Sequence, residues 1–297
     1  MLEKTSFCKV NLLLNILGKR PDGFHELETI MHPVGLYDRL RFDRAGRDIK
    51  LTCNDPILPV HSKNLVFRAT ALFLKKAAIN EGVRIHLDKH IPISAGLGGG
   101  SGNAATTFLA LNELFGHPLA PATLQEMAAA LGSDVPFFLQ NRPALATGRG
   151  DIIKPLEYFP AMRSAHIVLI HPGFGISTSW AYQQLGRFPE AQNGRAGRAG
   201  KLAALLRAGD RVGAGREFYN SLEAPALHKY PLLELFQQFL RENGAWAALM
   251  SGSGSTTFAL ADSKETAEHL LENFKAKFGV KCWTAVVKPE GYMPNAE

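Results

Sequence analysis

A two-domain α+β protein is the fold class this sequence predicts, and three observations predict it. Short strand-like runs alternate with helical ones through the first half, five glycines fall within the seven residues Gly96 to Gly102 between a strand and a helix, and the second half reads strand, helices, two strands, helix, strand. At 297 residues the chain is long enough for two ordinary cores. No internal repeat marks a boundary, so the expected division falls near residue 160, giving domains of residues 1–160 and 161–297.

Each element follows from its own pattern. In "KVNLLLNI", Val10, Leu12, Leu14 and Ile16 share one face of a strand, with Lys9, Asn11, Leu13 and Asn15 on the other. Pro21, Asp22 and Gly23 then make a turn into a second extended stretch. Short strands are expected at 40–42 and 49–53, a helix from near Asn64 to before Gly82, and a strand at "VRIHL". Helices are expected at 101–115 and 122–131, followed by the strand "HIVLIHPG" and a helix in "STSWAYQQL" capped by Ser177 or Thr178. Residues 186–200, rich in Gly and Arg, read as a flexible surface segment. Helices at 201–220 and 231–243, strands at 245–250 and 256–261, a helix at 263–277 and a strand at 281–287 complete the chain in an order that suits a ferredoxin-like domain.

Composition excludes several classes. Hydrophobic residues at 46% and charged residues at 20% are ordinary for a globular protein, and no apolar run approaches the roughly 18 residues of a membrane span. "VNLLLNIL" is interrupted by Asn11 and Asn15 and lacks a cleavage site, so a cytoplasmic location without a signal peptide is expected. Cys8, Cys53 and Cys282 are odd in number and far apart, which fits neither a disulfide framework nor a zinc site. The formal charge of +6 favours anionic partners, whether nucleotides, phosphorylated metabolites or nucleic acid.

The glycine cluster carries the strongest chemistry. Its glycines let backbone come close to a ligand, and the unpartnered N–H groups of the helix that follows favour an anion. A structural turn with Ser101 as helix cap is the plain alternative. "GLGGGSGN" is not a P-loop, because it lacks the Gly-Lys-Ser/Thr ending, and Ser101 replaces the third glycine of a Rossmann fingerprint. In "LGSDVPFFL", Asp134 is well placed as an N-cap, with Lys9 as a possible partner if its role is chemical, although a lone strand lysine is normally solvated. "MSGSGSTTFAL" joins two strands through Gly252, Ser253 and Gly254, which fits either a tight hairpin or a row of N–H donors facing an anion.

Taken in order, "KVN", "RPDGFHEL", "PISAGLGGGSGNAA", "LGSDVPFF" and "MSGSGSTTFAL" resemble the galactokinase, homoserine, mevalonate and phosphomevalonate kinase (GHMP) superfamily along nearly the whole chain. "RPDGFH" after "KVN" points to its branch that phosphorylates the 2-hydroxyl of a methylerythritol carrying a cytidine diphosphate, in the non-mevalonate route to isoprenoid precursors. The resemblance implies an N-terminal phosphate-loop domain, a ferredoxin-like C-terminal domain, an active site in the cleft between them, ATP as phosphoryl donor and Mg²⁺. It implies Lys9 and Asp134 as the catalytic lysine and aspartate. Pro92, Ile93, Ser94, Ala95, Gly96, Leu97, Gly98, Gly99, Gly100, Ser101 and Gly102 match the ATP loop, with Asn64 and Lys89 near the adenine. Asn11, Phe24 and His25 match substrate positions, as do Thr178 and Tyr182. Gly102 stands where the family commonly has a second serine, and Phe24 where tyrosine is usual.

A kinase of the same superfamily acting on another small alcohol is the nearest rival. A nucleic-acid-binding protein using Arg187, Arg195, Arg198 and Lys201 is the rival of another class, but only a single aromatic, Phe188, interleaves those charges and a solvated loop explains them. The expected partner is thus a small molecule, with no nucleic acid and no membrane; monomer and weak homodimer both stay open.

Overall fold

The structure, a computed structural model, describes residues 1–289. The end of the expected C-terminal domain, residues 290–297, lies outside the described residues. In chain order the strands and helices are β1 (Leu2–Lys19), β2 (His25–Arg44), β3 (Ile49–Cys53), α1 (Leu65–Lys76), β4 (Val83–Asp88), α2 (Gly99–Leu114), α3 (Pro121–Leu131) and α4 (Val135–Phe138). They continue with β5 (Ala144–Thr147), β6 (Ile152–Pro155), β7 (His166–His171), α5 (Thr178–Gln184), α6 (Pro189–Gln192), α7 (Arg198–Ala208), α8 (Arg211–Gly215) and β8 (Tyr219–Asn220). The last are α9 (Glu223–Lys229), α10 (Leu232–Glu242), β9 (Ala247–Met250), β10 (Thr257–Ala261), α11 (Lys264–Phe278) and β11 (Trp283–Val287).

These residues form two compact units. The first gathers Met1–Cys8, Leu36–Ile93 and Gly98–Asn141. Within it β4 pairs antiparallel with β2, from Arg39↔Asp88 to Arg44↔Val83, and parallel with β3, from Ile49↔Val83 to Cys53↔Leu87. Val83, Ile85 and Leu87 are buried while Arg84 is exposed, the alternation of a strand with one face on a core. On α1, Val66, Ala69, Thr70 and Phe73 are buried at helical spacing and pack the helix against α2. Phe42, Phe73, Phe108 and Phe137 fill the centre.

The second unit gathers Lys9–Gly35, Ser94–Leu97 and residues from Arg142 onward. Here β1 pairs parallel with β8 through Leu13↔Tyr219 and Leu14↔Asn220, and β2 pairs antiparallel with β5. A separate four-stranded antiparallel sheet has the order β11-β7-β10-β9. With α10 and α11 this is the expected ferredoxin-like arrangement. Phe236 of α10 and Phe274 and Phe278 of α11 stack edge to face or tilted at 4.8–4.9 Å, a geometry that suits the ring quadrupoles.

Three local expectations are corrected. The strand "KVNLLLNI" is buried on both faces, so Lys9 (3% exposed), Asn11 and Asn15 are interior groups and the solvated reading of Lys9 falls. The expected helix at 201–220 is broken: Gly209 ends α7 in the left-handed region at φ 76°, and the Asp210 side chain caps α8 by accepting from Gly213 N at 2.8 Å. Residues 186–200 are docked rather than loose. Ala191 and Ala199 are buried, Asn15 donates to Arg195 O at 2.8 Å, and the Glu28 carboxylate accepts from the N–H groups of Gly197 and Ala199 at 3.2 Å. A buried carboxylate at the start of α7 is a long-range partner that no local pattern announces.

At Gly102 the interior allows no side chain. A Cβ there would lie 2.7 Å from Phe7 O and 3.1 Å from Ser6 Oγ, so the serine common in the resembling family has no room on this backbone. Gly102→Ala is expected to destabilise the protein by about 1–3 kcal/mol through overpacking, which outweighs the ~1 kcal/mol that alanine gains in helix propensity. Urea unfolding measures it, and a stability equal to the parent's would show that β1 moves aside.

Candidate active site

In the first unit, α2 begins without a side-chain cap. Gly98 occupies the N-cap in the left-handed region at φ 69°, where glycine carries no Cβ penalty, and its carbonyl accepts from Gly102 N at 2.9 Å. The N–H groups of Gly99, Gly100 and Ser101 precede that first bond and have no intrahelical acceptor. Ser101 is therefore not the cap, and three amides at the positive end of a 16-residue helix point outward together. Gly100 is exposed, and a Cβ there would touch only Leu65 at 3.5 Å. Gly99 is different: a Cβ would meet Ile91 at 2.9 Å and Lys89 Nζ at 3.2 Å, so its glycine is required by packing.

The Lys89 ammonium near that glycine is held by Asp38. Asp38 is fully buried; it accepts from Lys89 Nζ at 2.7 Å, from the N–H groups of His90 and Ile91 at 2.7 and 2.8 Å, and from Asn103 Nδ2 at 3.0 Å. Lys89 also donates to Ile91 O at 2.5 Å. Asn64 caps α1, accepting from Val66 N at 2.8 Å and donating to Pro59 O at 2.7 Å. Lys89 is thus committed to Asp38 and Ile91, and Asn64 to the start of α1. Half-buried Asp134 precedes α4 with helical backbone angles and makes no side-chain cap bond, so capping does not explain it.

In the second unit, buried Lys9 donates from Nζ to Asn11 Oδ1 at 2.5 Å and to Gly96 O at 3.0 Å, while its N–H donates to Leu97 O at 3.0 Å. Asn11 in turn donates to Thr29 Oγ1 at 2.9 Å, which fixes its carboxamide with the oxygen toward the lysine. Gly96 is pressed against the Ser251–Gly254 turn: Ser251 Oγ donates to Gly96 O at 3.0 Å, and a Cβ on Gly96 would collide with Ser251 O. Thr178 Oγ1 lies 2.9 Å from Ser253 Oγ, so the start of α5 meets the same turn.

The remaining residues of this unit present rings. His25 and Tyr182 lie 5.2 Å apart at 41°, and His25 Nε2 is enclosed without a hydrogen-bond partner among the described residues. Burial, with Lys19 adding to it, pushes the His25 pKa down, which favours a neutral ring with one donor and one acceptor nitrogen. Phe24 is 51% exposed, and the Arg149 guanidinium covers its ring at 4.7 Å.

Sequence reasoning missed Asp38, Asn103, Thr29, Arg149 and Ser251. Two of the four basic residues offered for nucleic acid are engaged: Arg198 stacks on Tyr219 at 3.9 Å and Lys201 pairs with Glu217 at 2.6 Å. The flat, multiply donated carboxylate of Asp38 is the clearest structural dependency near the loop. Asp38→Ala would leave the Lys89 charge buried without its counter-ion and is expected to cost about 3–5 kcal/mol of stability, read from denaturant midpoints.

The chain matches the family models "GHMP kinases N terminal domain" over residues 64–142 and "GHMP kinases C terminal" over residues 190–280. It belongs to the GHMP kinase family, and is an enzyme of the kinase class. Within the family it is 38% identical to the 4-diphosphocytidyl-2-C-methyl-D-erythritol kinase of Syntrophotalea carbinolica over 92% of this chain and 94% of that protein. It is 41% identical to the protein of the same name from Syntrophus aciditrophicus, over 90% of this chain and 92% of the relative. A crystal structure of 4-(cytidine 5'-diphospho)-2C-methyl-D-erythritol kinase superposes with a TM-score of 0.81 at 35% identity, covering 97% of this chain and 99% of the other.

Proposed function

We propose that this chain transfers the γ-phosphoryl group of ATP to the 2-hydroxyl of 4-diphosphocytidyl-2-C-methyl-D-erythritol, a step in non-mevalonate isoprenoid precursor synthesis. The observation that carries this reading is the 38% identity, over 92% of the chain, to a relative named for that kinase. The physical counterpart is the row of amides at the start of α2, which suits a polyphosphate. The family's two domains are read as residues 1–160 and 161–297; the matched regions 64–142 and 190–280 fall on either side of that division. The work is assigned to the cytoplasm, where nucleotides are at hand, and no helix among the described residues is long and apolar enough to cross a membrane.

Phosphoryl transfer requires positioning and neutralisation of the charge that spreads over the transferring oxygens. The Gly99, Gly100 and Ser101 amides supply fixed donors for that charge. Asp134 is assigned to orient the acceptor hydroxyl and take its proton, and Lys9 to stabilise negative charge; Asn11 and Gly96 O hold the Lys9 ammonium in one place. Asn64 and Lys89 are assigned to the wall near the adenine, Asn64 through the start of α1 that it caps and Lys89 through its bond to Asp38. Mg²⁺ accompanies ATP in this reading. Bound mainly by phosphate oxygens and water, it would find in the Ser101 hydroxyl a hard oxygen donor of the right kind, and it would offset phosphate charge.

For the acceptor, Phe24 and Tyr182 provide aromatic faces and His25 the polar edge, with Thr178 near the diphosphate. The enclosed His25 Nε2 without a partner supports this, because a ligand group would satisfy it. Arg149 over the Phe24 ring restrains the phenylalanine that stands where tyrosine is usual.

An assay of ADP release tests the function: the cytidine compound is expected to be used far better than its uridine counterpart, homoserine or mevalonate. Equal use of homoserine or mevalonate would leave only the superfamily assignment. Asp134→Asn is expected to lower turnover by roughly 10²–10⁴-fold in a chain that keeps the parent's circular-dichroism spectrum, since a lost general base costs that much. Gly100→Val is the clean probe of the amide row, because a Cβ at this position meets only Leu65, at ordinary contact distance. It is expected to weaken ATP binding in a chain with an unchanged circular-dichroism spectrum, and unaltered affinity would remove Gly100 from the phosphate site.

A further inference from the structure

The Ser251–Gly254 turn is held from behind by two side chains that have no role in the reading so far, Asn220 and Glu223. Asn220 ends β8 and is 2% exposed. Its Nδ2 donates to Met250 O at 2.8 Å and to Gly252 O at 2.7 Å, while its Oδ1 accepts from Leu222 N at 2.9 Å. Both amide hydrogens are thereby used on carbonyls two residues apart. Glu223, three residues on, accepts from Met250 N at 2.8 Å and from Gln237 Nε2 at 2.6 Å. Met250 is thus gripped at both its N–H and its carbonyl.

The consequence follows from peptide geometry. A trans peptide points its C=O and N–H in opposite directions, so drawing Gly252 O toward Asn220 turns Ser253 N–H away from it. Gly252 adopts φ 57°, and neither its N–H nor that of Ser253 finds an acceptor among the described residues, although both residues are buried. Adjacent main-chain N–H groups of this kind make an anion nest. The turn also contacts the lysine's acceptor: Ser251 Oγ donates to Gly96 O, and Thr256 N donates to Ala95 O at 3.2 Å.

We propose that Asn220, assisted by Glu223, is a positioning residue for phosphoryl transfer, aiming the Gly252 and Ser253 amides at an anionic group of the reactants and steadying the Gly96 carbonyl that receives Lys9. This rests on the kinase reading above. Burial pushes the Glu223 carboxyl up to about 7, against the lowering effect of its bonds to Met250 N and Gln237 and of Arg241, with Glu234 adding to the rise. A neutral glutamine is accordingly a close stand-in, because it keeps an acceptor oxygen for both bonds.

The test uses the full chain with saturating ATP and the cytidine acceptor. Asn220→Asp preserves shape but replaces the two-hydrogen donor with oxygen facing the carbonyls of Met250 and Gly252. The expected result is a fall in kcat of roughly 10²-fold, the scale of a 1 Å misplacement, with KM changed less than about threefold and the circular-dichroism spectrum retained. A folded Asn220→Asp chain with the parent's kcat overturns the proposal. Should that variant not fold, Glu223→Leu, which fills the same space with apolar atoms, is compared with Glu223→Gln. A loss of kcat confined to the leucine variant supports the proposal, and equal activity in the two overturns it. Absence of acceptor-dependent ADP release from the parent chain is a separate outcome that would overturn both the kinase reading and this one.

Discussion

The burial of the Lys9 ammonium is the constraint on which much of the second unit depends. An isolated charge in an interior is costly, so the fold must bring acceptors to it. Asn11 supplies a carboxamide oxygen from the same strand face, and Gly96 supplies a carbonyl. Each acceptor then needs its own restraint. Thr29 fixes the Asn11 amide, Ser251 shares Gly96 O, and Gly96 must lack a side chain because Ser251 O occupies that space. A single cation thereby sets the identity of residues far apart in the chain.

Asp38 plays the corresponding part in the first unit with the opposite sign. Its carboxylate gathers two main-chain amides, a lysine and an asparagine, which places the Lys89–Ile91 segment against the first turn of α2. Gly99 belongs to the same packing, since Ile91 and Lys89 fill the volume a Cβ would need. The glycines of the cluster are consequently glycines for different reasons: Gly98 for its dihedral angle, Gly99 and Gly102 for lack of room, and Gly100 for openness to what lies outside.

Periodicity and punctuation were enough to recover most elements. The alternation of Val83, Ile85 and Leu87 and the spacing of Val66, Ala69 and Phe73 place β4 and α1 within a few residues, and the order of the last elements identifies the ferredoxin-like sheet. What escaped notice lies in partners separated widely along the chain. Glu28 holding Gly197 and Ala199, Asn220 holding Gly252, and Asp38 holding Asn103 leave no local pattern, because a buried polar side chain looks in sequence like a solvated one. The same blindness made Lys9 look like a surface lysine and residues 186–200 look loose. Among the candidate site residues, the glycine loop was legible from composition, and Asp134 with Lys9 from position in the chain, whereas their catalytic roles came only through a resemblance between whole motifs.

The uncapped start of α2 has a consequence for how this protein tolerates change. Gly99, Gly100 and Ser101 offer main-chain amides, which every residue except proline possesses and which do not titrate over the physiological range. A surface of that kind has no side chain to lose, so deletion of a functional group cannot erase it. Proline apart, it is vulnerable only to additions, a methyl or larger group that stands between amide and ligand. Drift at these positions is therefore filtered by bulk rather than by chemistry, and attraction for an anion at this helix start should persist across pH values that would switch off a histidine or a carboxylate.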